Sequence, residues 1–356
     1  GGAQKTEENE KEEAAELSAA DEVPITFCNL NITPECHLPC RTCAIWKNSK
    51  SPNIKNFREN GLSLGEWRWI IHVLSQMNQD AKRIYFSGGE PLLRPGLWNL
   101  IRFARDRGFF PIVGTSCYPA NAGTVHKIID SGLSFLDVSL YSLNPKTHDY
   151  LRGRKGLHKK VMNLVTRLHK LQPAFEIGAG CVINKVNIDE IIPFVEGIDN
   201  DERFTSIYFQ ALVQPYDTDP CNYWYRLKDY RFLWPDDRGK IDELFTYLIE
   251  KKRSGGTKIG NSPEQLEVYK YYYTNPEECH KRKRCLREPS SVTVNWLGYV
   301  SFCDYLGPIG NVRDFPLDEL LRSKIAGIRR TEMKNCDLQC NFIEQVEIPR
   351  EDPVST

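Results

Sequence analysis

The feature that most constrains the fold is a regular alternation of strand-like and helix-like segments from Val23 to about Gln214. Short apolar runs such as RIYF and FLDVS are separated by longer segments in which apolar residues recur at helical spacing. The first long helical segment opens with Ser63 and Glu66, the Ser-x-x-Glu spacing of a capping box. Six strands joined in this way need right-handed crossovers and therefore give a parallel sheet. The pattern predicts an α/β fold, either a barrel or a doubly wound sheet.

Changes in composition divide the rest of the chain. Residues 1–22 are acidic and contain no aromatic side chain, which predicts a disordered tail. Near 255–265 the alternation gives way to a tyrosine-rich segment and then to five further cysteines. We therefore expect a main domain over 23–255, a second domain over 256–345 and a tail over 346–356.

The net charge of the chain does not indicate a binding partner. Lys plus Arg and Asp plus Glu both number 47, so the net charge is zero and no strong field favours nucleic acid or an anionic membrane. No apolar run approaches the ~18 residues of a membrane span, and the N-terminus lacks a signal-peptide pattern. We expect a cytoplasmic protein, in which clustered cysteines indicate metal binding or catalysis rather than disulfides.

Three cysteines form a C-x3-C-x2-C loop directly after the first strand: Cys36, Cys40 and Cys43. Three thiolates can hold three irons of a [4Fe-4S] cluster and leave the fourth iron open to a substrate or cofactor. The alternative is a zinc knuckle completed by Cys28 or His37. His37 is adjacent to Cys36, which makes simultaneous ligation by both residues difficult.

A second motif, Ser87-Gly88-Gly89-Glu90 followed by Pro91, comes directly after the second strand. Paired glycines let a backbone approach a ligand closely, and a carboxylate can accept hydrogen bonds from an ammonium group. Alone, the segment could be an ordinary turn. Because both loops follow neighbouring strands, they open at the same rim, where barrel enzymes place their chemistry.

Together these motifs resemble those of the radical S-adenosylmethionine superfamily, over about residues 23–214. The resemblance implies a partial (β/α)6 barrel whose cysteine loop binds a [4Fe-4S] cluster, with S-adenosylmethionine on the open iron and its amino group at Gly-Gly-Glu-Pro. It also implies reductive cleavage of S-adenosylmethionine to a 5′-deoxyadenosyl radical, which takes a hydrogen atom from the substrate.

The same resemblance implies two further cofactor contacts. Ser139 matches a serine near the ribose and carboxylate of the cofactor, and Arg152 resembles a basic residue that meets the carboxylate. The alternatives are a strand-end hydroxyl for Ser139 and a solvated surface arginine for Arg152. Tyr141-Ser142 stands where many relatives have Asp-Gly, which leaves the local substrate contacts open.

The later cysteines indicate a second cluster. The segment SSVTVNWLGYV predicts a β-hairpin with Gly298 in its turn, which brings flanking cysteines to one end. The C-x(9-15)-G-x4-C spacing resembles the SPASM and Twitch extensions of radical enzymes, which carry auxiliary clusters. Only Cys279 is left over, so the short Twitch form with one [4Fe-4S] cluster is expected; a zinc ribbon is the alternative. The expected ligands are Cys285, Cys303, Cys336 and Cys340.

An auxiliary cluster predicts a net oxidation, since it can take the electron left on a substrate radical. We expect oxidative modification of a peptide or protein, by cross-linking, thioether formation or dehydrogenation, with flavodoxin or ferredoxin as electron donor. The small-molecule alternative is an aminocyclitol or sugar dehydrogenase. A non-catalytic iron–sulfur or zinc scaffold is the alternative outside enzymes, and it predicts no Gly-Gly-Glu-Pro motif.

Further residues could contact the substrate. Cys221 follows the sixth strand and could donate a hydrogen atom to a substrate radical, as in an epimerase; alternatively it is a plain loop cysteine. The aromatic stretches 221–225 and 269–273 either line a substrate groove or form a core between domains.

Overall fold

The structure is a computed structural model that describes residues 25, 27–50, 52–77, 83–215, 218, 221, 223–282, 284–285, 291–303, 305–336 and 346–347. Within these residues, one large sheet contains nine strands: β1 (Phe27–Thr33), β2 (Arg83–Gly88), β3 (Phe110–Thr115), β4 (Phe135–Ser139), β5 (Glu176–Ile183), β6 (Ser206–Ala211), β8 (Ser291–Val294), β9 (Tyr299–Ser301) and β10 (Gly310–Asn311). A separate pair is formed by β7 (Arg284–Cys285) and β11 (Val346–Glu347).

The helices are α1 (Pro52–Asn60), α2 (Leu64–Gln76), α3 (Leu97–Arg105), α4 (Thr124–Ser131), α5 (Pro145–Arg152), α6 (Leu157–Leu171), α7 (Ile191–Asp199), α8 (Arg238–Ser254), α9 (Pro263–Thr274), α10 (Pro276–Arg282), α11 (Leu317–Arg322) and α12 (Lys324–Lys334). Short 3-10 turns cover Ile45–Lys50, Pro91–Leu93, Ile188–Glu190 and Trp224–Arg226.

The large sheet has the order β10-β9-β8-β1-β2-β3-β4-β5-β6. Strands β1 to β6 run parallel in chain order, and β8 also pairs in parallel with β1. The hairpin of β8 and β9 is antiparallel, as is the pair of β9 and β10. The sheet is not closed, because β10 and β6 stand at its two edges. The predicted α/β partial barrel is confirmed.

Alternation along each strand separates two faces of the sheet. In β4, Leu136 and Val138 are buried, whereas Phe135, Asp137 and Ser139 are half-buried. The buried residues face the helices, which right-handed crossovers place on one side. The half-buried residues therefore face the interior of the partial barrel.

Local signals explain where helices begin. Helix α2 starts at the predicted capping box, with Ser63 accepting from the Glu66 backbone and the Glu66 side chain accepting from the Ser63 backbone. Helix α5 did not emerge from the apolar alternation. It is marked by Asn144 as N-cap, by Pro145 at its first position and by Gly153 in the left-handed conformation after its end.

The C-terminal extension is fixed to the main sheet. Strand β8 pairs with β1, and the backbone N–H of Leu62 donates to the Trp296 carbonyl at 2.8 Å. Arg313 forms an ion pair with Glu66 at 2.6 Å. This pair lowers the pKa of Glu66 to about 2, chiefly through the hydrogen bond from Arg313. The predicted hairpin is present, with Gly298 in its turn at φ +90°.

The segment after α8 returns to the main sheet. Ile207 N–H donates to the Lys258 carbonyl, and Gly260 N–H donates to the Ile207 carbonyl, both at 2.7 Å. Helix α9 then packs against the same strand, with the Tyr269 hydroxyl 3.3 Å from the Phe209 carbonyl. A boundary between 255 and 256 stays a prediction, and residues 258–273 contact the sheet of the main domain.

Aromatic residues that precede α8 pack against aromatic residues of α9. Trp234 packs on Tyr225, with ring centroids 4.5 Å apart, and on Tyr272 and Tyr273 at 5.2 and 5.3 Å. All four are buried. These residues form a core, as one of the two interpretations of the aromatic stretches expected. In the described part of the chain, no helix has the length and apolar character needed to cross a membrane.

Candidate active site

The two sequence motifs are joined through their backbones. Gly89 N–H donates to the Thr33 carbonyl, and Glu90 N–H donates to the Glu35 carbonyl, both at 2.7 Å. Gly88 has φ +124°, and a Cβ there would lie 2.3 Å from the Thr33 oxygen. A Cβ at Gly89 would lie 2.3 Å from the Glu35 oxygen. Only glycine permits this approach, which places the Glu90 loop beside the start of the cysteine loop.

The cysteine loop also rests on the C-terminal end of α5. Arg41 donates from its backbone N–H to the Leu151 carbonyl at 2.9 Å and from Nε to the Tyr150 carbonyl at 3.1 Å. The Cys40 thiol donates to the Arg152 carbonyl at 3.7 Å. These contacts satisfy carbonyls that a helix end leaves unpaired. Helix α5 therefore shapes the cysteine loop.

Cys36, Cys40 and Cys43 lie within electrostatic range of one another. The pKa of Cys36 rises to about 11, because burial disfavours the thiolate and the charges of Cys40 and Glu90 add repulsion. The pKa of Cys43 rises to about 12, from burial and then from Cys40. Bound iron would favour the thiolates, since coordinating thiols lose their proton to the metal charge.

Arg152 is a buried guanidinium beside these thiols. Its Nη1 donates to the Tyr141 hydroxyl at 3.0 Å, and its Nε is buried without a hydrogen-bond partner among the described residues. Burial alone would lower the pKa of Arg152, but the neighbouring Cys40 and Tyr141 outweigh it and raise the pKa. The unpaired Nε can donate to a carboxylate. Arg152 is thus no solvated surface residue, and Tyr141, which sequence reasoning left open, is its neighbour.

The Glu90 carboxylate is held by the end of β3. Its Oε1 accepts from the Thr115 hydroxyl at 2.7 Å and from the Leu92 N–H at 3.1 Å. Its Oε2 accepts from the Ser116 N–H at 2.9 Å and contacts the Ser116 hydroxyl. Only 2% of Glu90 is exposed, so these hydrogen bonds fix a buried carboxylate. Sequence reasoning missed Thr115 and Ser116, although both end a strand at the predicted rim.

The other proposed cofactor residues lie on neighbouring strands. Ser87 contacts the side-chain oxygen of Asn29 and that of Asn31, the latter at 2.6 Å, and so joins β2 to β1. Ser139 is the last residue of β4, half-buried and paired with Gly180 of β5. Both serines face the interior of the partial barrel at its carboxyl rim.

The donor set fits a cluster and its cofactor. Among the described residues, no three His, Cys, Asp or Glu side chains are arranged to hold a single metal ion. In a cubane cluster each thiolate binds a different iron, so its ligands stand farther apart than those of one zinc ion. Cys28 is buried on the helix-facing side of β1, away from the loop, and the His37 side chain is exposed.

One expected ligand of the second cluster, Cys303, lies at the amino edge of the sheet. Because β8 is parallel to β1, the start of β8 lies beside the start of β1. Cys303 follows the antiparallel β9 and so lies at the amino edge, whereas Cys285 lies in β7, which pairs with β11. Cys336 follows α12 and is half-buried, whereas Cys340 lies outside the described residues.

Cys279, Cys181 and Cys221 are buried or half-buried. Cys279 is fully buried at the end of the helical segment. Cys181 is buried on β5 and its thiol donates to the Tyr141 carbonyl at 3.6 Å. Cys221 is half-buried, and its backbone N–H donates to the Gln214 side chain at 3.0 Å. A hydrogen-donor role for Cys221 stays a prediction.

Comparison with protein families gives two matches. Residues 30–196 match the radical SAM superfamily, and residues 285–341 match the SPASM iron–sulfur cluster-binding domain. The first match contains the cysteine loop, the Gly-Gly-Glu-Pro loop and α5. The second begins at Cys285 and includes Cys340.

Curated relatives include two from Methanosarcina barkeri. The Fe-coproporphyrin III synthase is 30% identical over 54% of this chain, and the match spans 45% of that protein's length. The AdoMet-dependent heme synthase is 27% identical over 81% of this chain and 80% of its own. The PqqA peptide cyclase of Bradyrhizobium diazoefficiens is 24% identical over 70% of this chain and 60% of its own.

Among solved structures, Streptococcus suis SuiB bound to the precursor peptide SuiA superposes with a TM-score of 0.63. The match has 15% identity and covers 97% of this chain and 76% of SuiB. That likeness shows the fold. The two family matches, which contain both motifs, show that this chain has a radical SAM domain, which implies S-adenosylmethionine bound at a [4Fe-4S] cluster, followed by a SPASM iron–sulfur cluster-binding domain.

Proposed function

We propose that this enzyme oxidatively modifies a peptide or protein substrate, by cross-linking, thioether formation or dehydrogenation. The observation that supports the proposal is the position of Cys303, which follows β9 at the amino edge of the sheet, opposite the carboxyl rim with the cysteine loop. The seven residues of β1 span about 20 Å at ~3.3 Å per residue. The interior face of the sheet lies between the edges, so a substrate bound there would have one cysteine site on each side.

Residues of this chain supply the positioning at the carboxyl rim. Cys36, Cys40 and Cys43 would hold a [4Fe-4S] cluster, Glu90 would accept from the cofactor's ammonium group, and Arg152 would donate to its carboxylate. When bound, the cluster and S-adenosylmethionine supply a 5′-deoxyadenosyl radical that takes a hydrogen atom from the substrate. Ser87 and Ser139 would orient the cofactor from the neighbouring strands.

Cysteines of the C-terminal extension would hold the second centre. Cys285, Cys303, Cys336 and Cys340 are the proposed ligands of one auxiliary [4Fe-4S] cluster, which would accept the electron released by substrate oxidation. A flavodoxin or ferredoxin is the proposed electron donor for the first cluster. Support for a peptide substrate comes from the similarity to the PqqA peptide cyclase and to SuiB, whose structure contains a precursor peptide.

The test is product analysis under anaerobic conditions. The reconstituted enzyme, S-adenosylmethionine and dithionite are incubated with a library of synthetic peptides, including peptides encoded beside the gene. Mass spectrometry should reveal a peptide that loses two hydrogen atoms in proportion to the 5′-deoxyadenosine formed. If 5′-deoxyadenosine forms while every peptide stays unmodified, the peptide assignment fails.

A second candidate is a reaction of heme synthesis on an iron-coproporphyrin. It is favoured by the match to the AdoMet-dependent heme synthase, which covers about four fifths of both chains. The same assay distinguishes it when iron-coproporphyrin III replaces the peptides. A change in the mass of the porphyrin, with every peptide unmodified, would establish this candidate and contradict the peptide proposal.

A further inference from the structure

A carboxylate lies inside the partial barrel, on strand β4. Asp137 is the middle residue of β4, on the half-buried face. Its Oδ2 accepts a hydrogen bond from the Tyr85 hydroxyl at 2.8 Å. Tyr85 is paired with Asn29, the third residue of β1, so the pair sits between the two edges of the sheet.

The two side chains meet across an intervening strand. Tyr85 belongs to β2 and Asp137 to β4, so the hydrogen bond passes over β3. A Cβ at Gly114 of β3 would lie 2.0 Å from the Tyr85 hydroxyl oxygen. Glycine is therefore required there for the two groups to reach each other.

The carboxylate lacks a positive partner among the described residues. Burial raises the pKa of Asp137 to about 6, and the Tyr85 hydrogen bond opposes this rise; no Lys or Arg contributes. Its Oδ1 accepts no hydrogen bond from a described residue. On β5, a Cβ at Gly180 would lie 2.9 Å from that oxygen, so the glycine leaves the space beside Oδ1 clear.

A half-buried carboxylate without a cation beside it costs free energy that an apolar residue would not. Such a cost is explained when the missing charge arrives with a ligand. We propose that Asp137, held by Tyr85, binds an ammonium or guanidinium group of the substrate inside the partial barrel. The inference that this substrate is a peptide with a basic side chain rests on the proposed function.

The test compares cationic and neutral probes. The probes are capped pentapeptides with one central residue, Lys or Arg as cations and norleucine or citrulline as neutral counterparts. Saturation-transfer NMR on the cluster-loaded enzyme with S-adenosylmethionine measures their binding. The cationic probes should bind at least about tenfold more tightly, since each 1.4 kcal/mol of ionic contact is worth tenfold.

Three variants test whether Asp137 causes the preference for cationic probes. Asp137→Asn keeps the shape and should abolish the difference between cationic and neutral probes. Tyr85→Phe keeps the charge and should reduce the difference without abolishing it. Asp130→Asn removes an exposed carboxyl on α4 and should leave the preference intact. Iron content and circular dichroism verify that each variant is folded.

Equal binding of cationic and neutral probes to the wild type would overturn the site, as would a preference that survives in Asp137→Asn. Absence of any probe binding counts against it equally. Failure of the proposed function is separate, because it appears as unmodified peptide or absent 5′-deoxyadenosine while the cation preference persists.

Discussion

At the scale of single residues, Glu90 depends on hydroxyl groups that belong to neither motif. Thr115→Val removes the 2.7 Å donor to Oε1 and leaves a buried carboxylate oxygen with one partner fewer. A lost hydrogen bond to a buried charged group costs about 1–3 kcal/mol. We expect S-adenosylmethionine to bind roughly tenfold more weakly, measured by equilibrium dialysis of the cluster-loaded enzyme.

The control for that change is Thr205→Val. Thr205 lies at the amino end of β6, where its hydroxyl donates to the Ile177 carbonyl at 3.1 Å. Thr205→Val therefore loses a comparable hydrogen bond, but far from the carboxyl rim. Equal weakening by both variants would show that Thr115 has no specific effect on Glu90.

Asp137 also makes a prediction about stability. Its folded pKa of about 6 exceeds the ordinary value of 3.8, so between these pH values the folded protein keeps a proton that the unfolded chain has released. Stability therefore falls as pH rises through this window. Asp137→Asn has no carboxyl group to ionise, so its stability does not fall in this way. The variant should be more stable than wild type by about 2–3 kcal/mol at neutral pH.

Urea denaturation of the metal-free protein at about pH 4 and pH 7.5 measures this effect. The stability advantage of Asp137→Asn over wild type should grow from pH 4 to pH 7.5, because only the wild-type side chain ionises in this range. An advantage of the same size at both pH values would show that the Asp137 carboxylate is not held in an unfavourable site.

Sequence spacing could predict the single residues that belong to local motifs. Cys36, Cys40 and Cys43 occupy one loop, and Glu90 lies directly after two glycines. Each motif can therefore be recognised from residues that are close together in the sequence. Tyr85 and Asp137 meet only through the register of three strands, which no local pattern reveals. Their partnership therefore could not be predicted.

At the scale of elements, the end of α5 determines the conformation of the cysteine loop. Gly153 has φ +68°, and a Cβ there would lie 2.3 Å from the Pro39 oxygen. Gly153→Ala should both strain the backbone and push the loop away. We expect it to lower the iron bound after reconstitution, measured by chemical iron analysis.

Gly156 offers a matched control three residues later. It has φ +81°, yet a Cβ there meets nothing within 4 Å. Gly156→Ala should cost only the backbone strain, roughly 1–2 kcal/mol, and keep its iron. Similar iron loss in both variants would show that strain alone, rather than contact with Pro39, disturbs the loop.

The alternation of apolar segments predicted β1 to β6 because each of these strands is buried on its helix-facing side. Helix α5 was missed because its eight residues bury few apolar side chains, among them Leu151. Its cap signals at Asn144, Pro145 and Gly153 were nevertheless present in the sequence. Attention to those signals would have found the element that holds the cysteine loop.

At the scale of the whole molecule, pairing of β8 with β1 makes the extension part of the main sheet. Sequence composition predicted a separate domain after 255, because it registers a change in residue types. It could not predict that residues 258–273 return to β6 or that the hairpin joins β1. Both connections depend on contacts between residues distant in the chain.

The two cysteine sites should load independently. Wild-type protein with two [4Fe-4S] clusters would bind about eight irons, and Cys303→Ala should bind about four. The remaining cluster should still support cleavage of S-adenosylmethionine, because the carboxyl rim is unchanged. Iron and sulfide analysis measures the loss. Unchanged iron content would contradict a role for Cys303 as a ligand.

The central claim is that the joined cysteine and Gly-Gly-Glu-Pro loops cleave S-adenosylmethionine. The most direct measurement is 5′-deoxyadenosine formed after dithionite is added anaerobically to the reconstituted enzyme with S-adenosylmethionine. The wild type should form it, whereas Cys36→Ala should form none. A wild-type protein that is fully loaded with iron and sulfide and yet forms no 5′-deoxyadenosine would contradict the account.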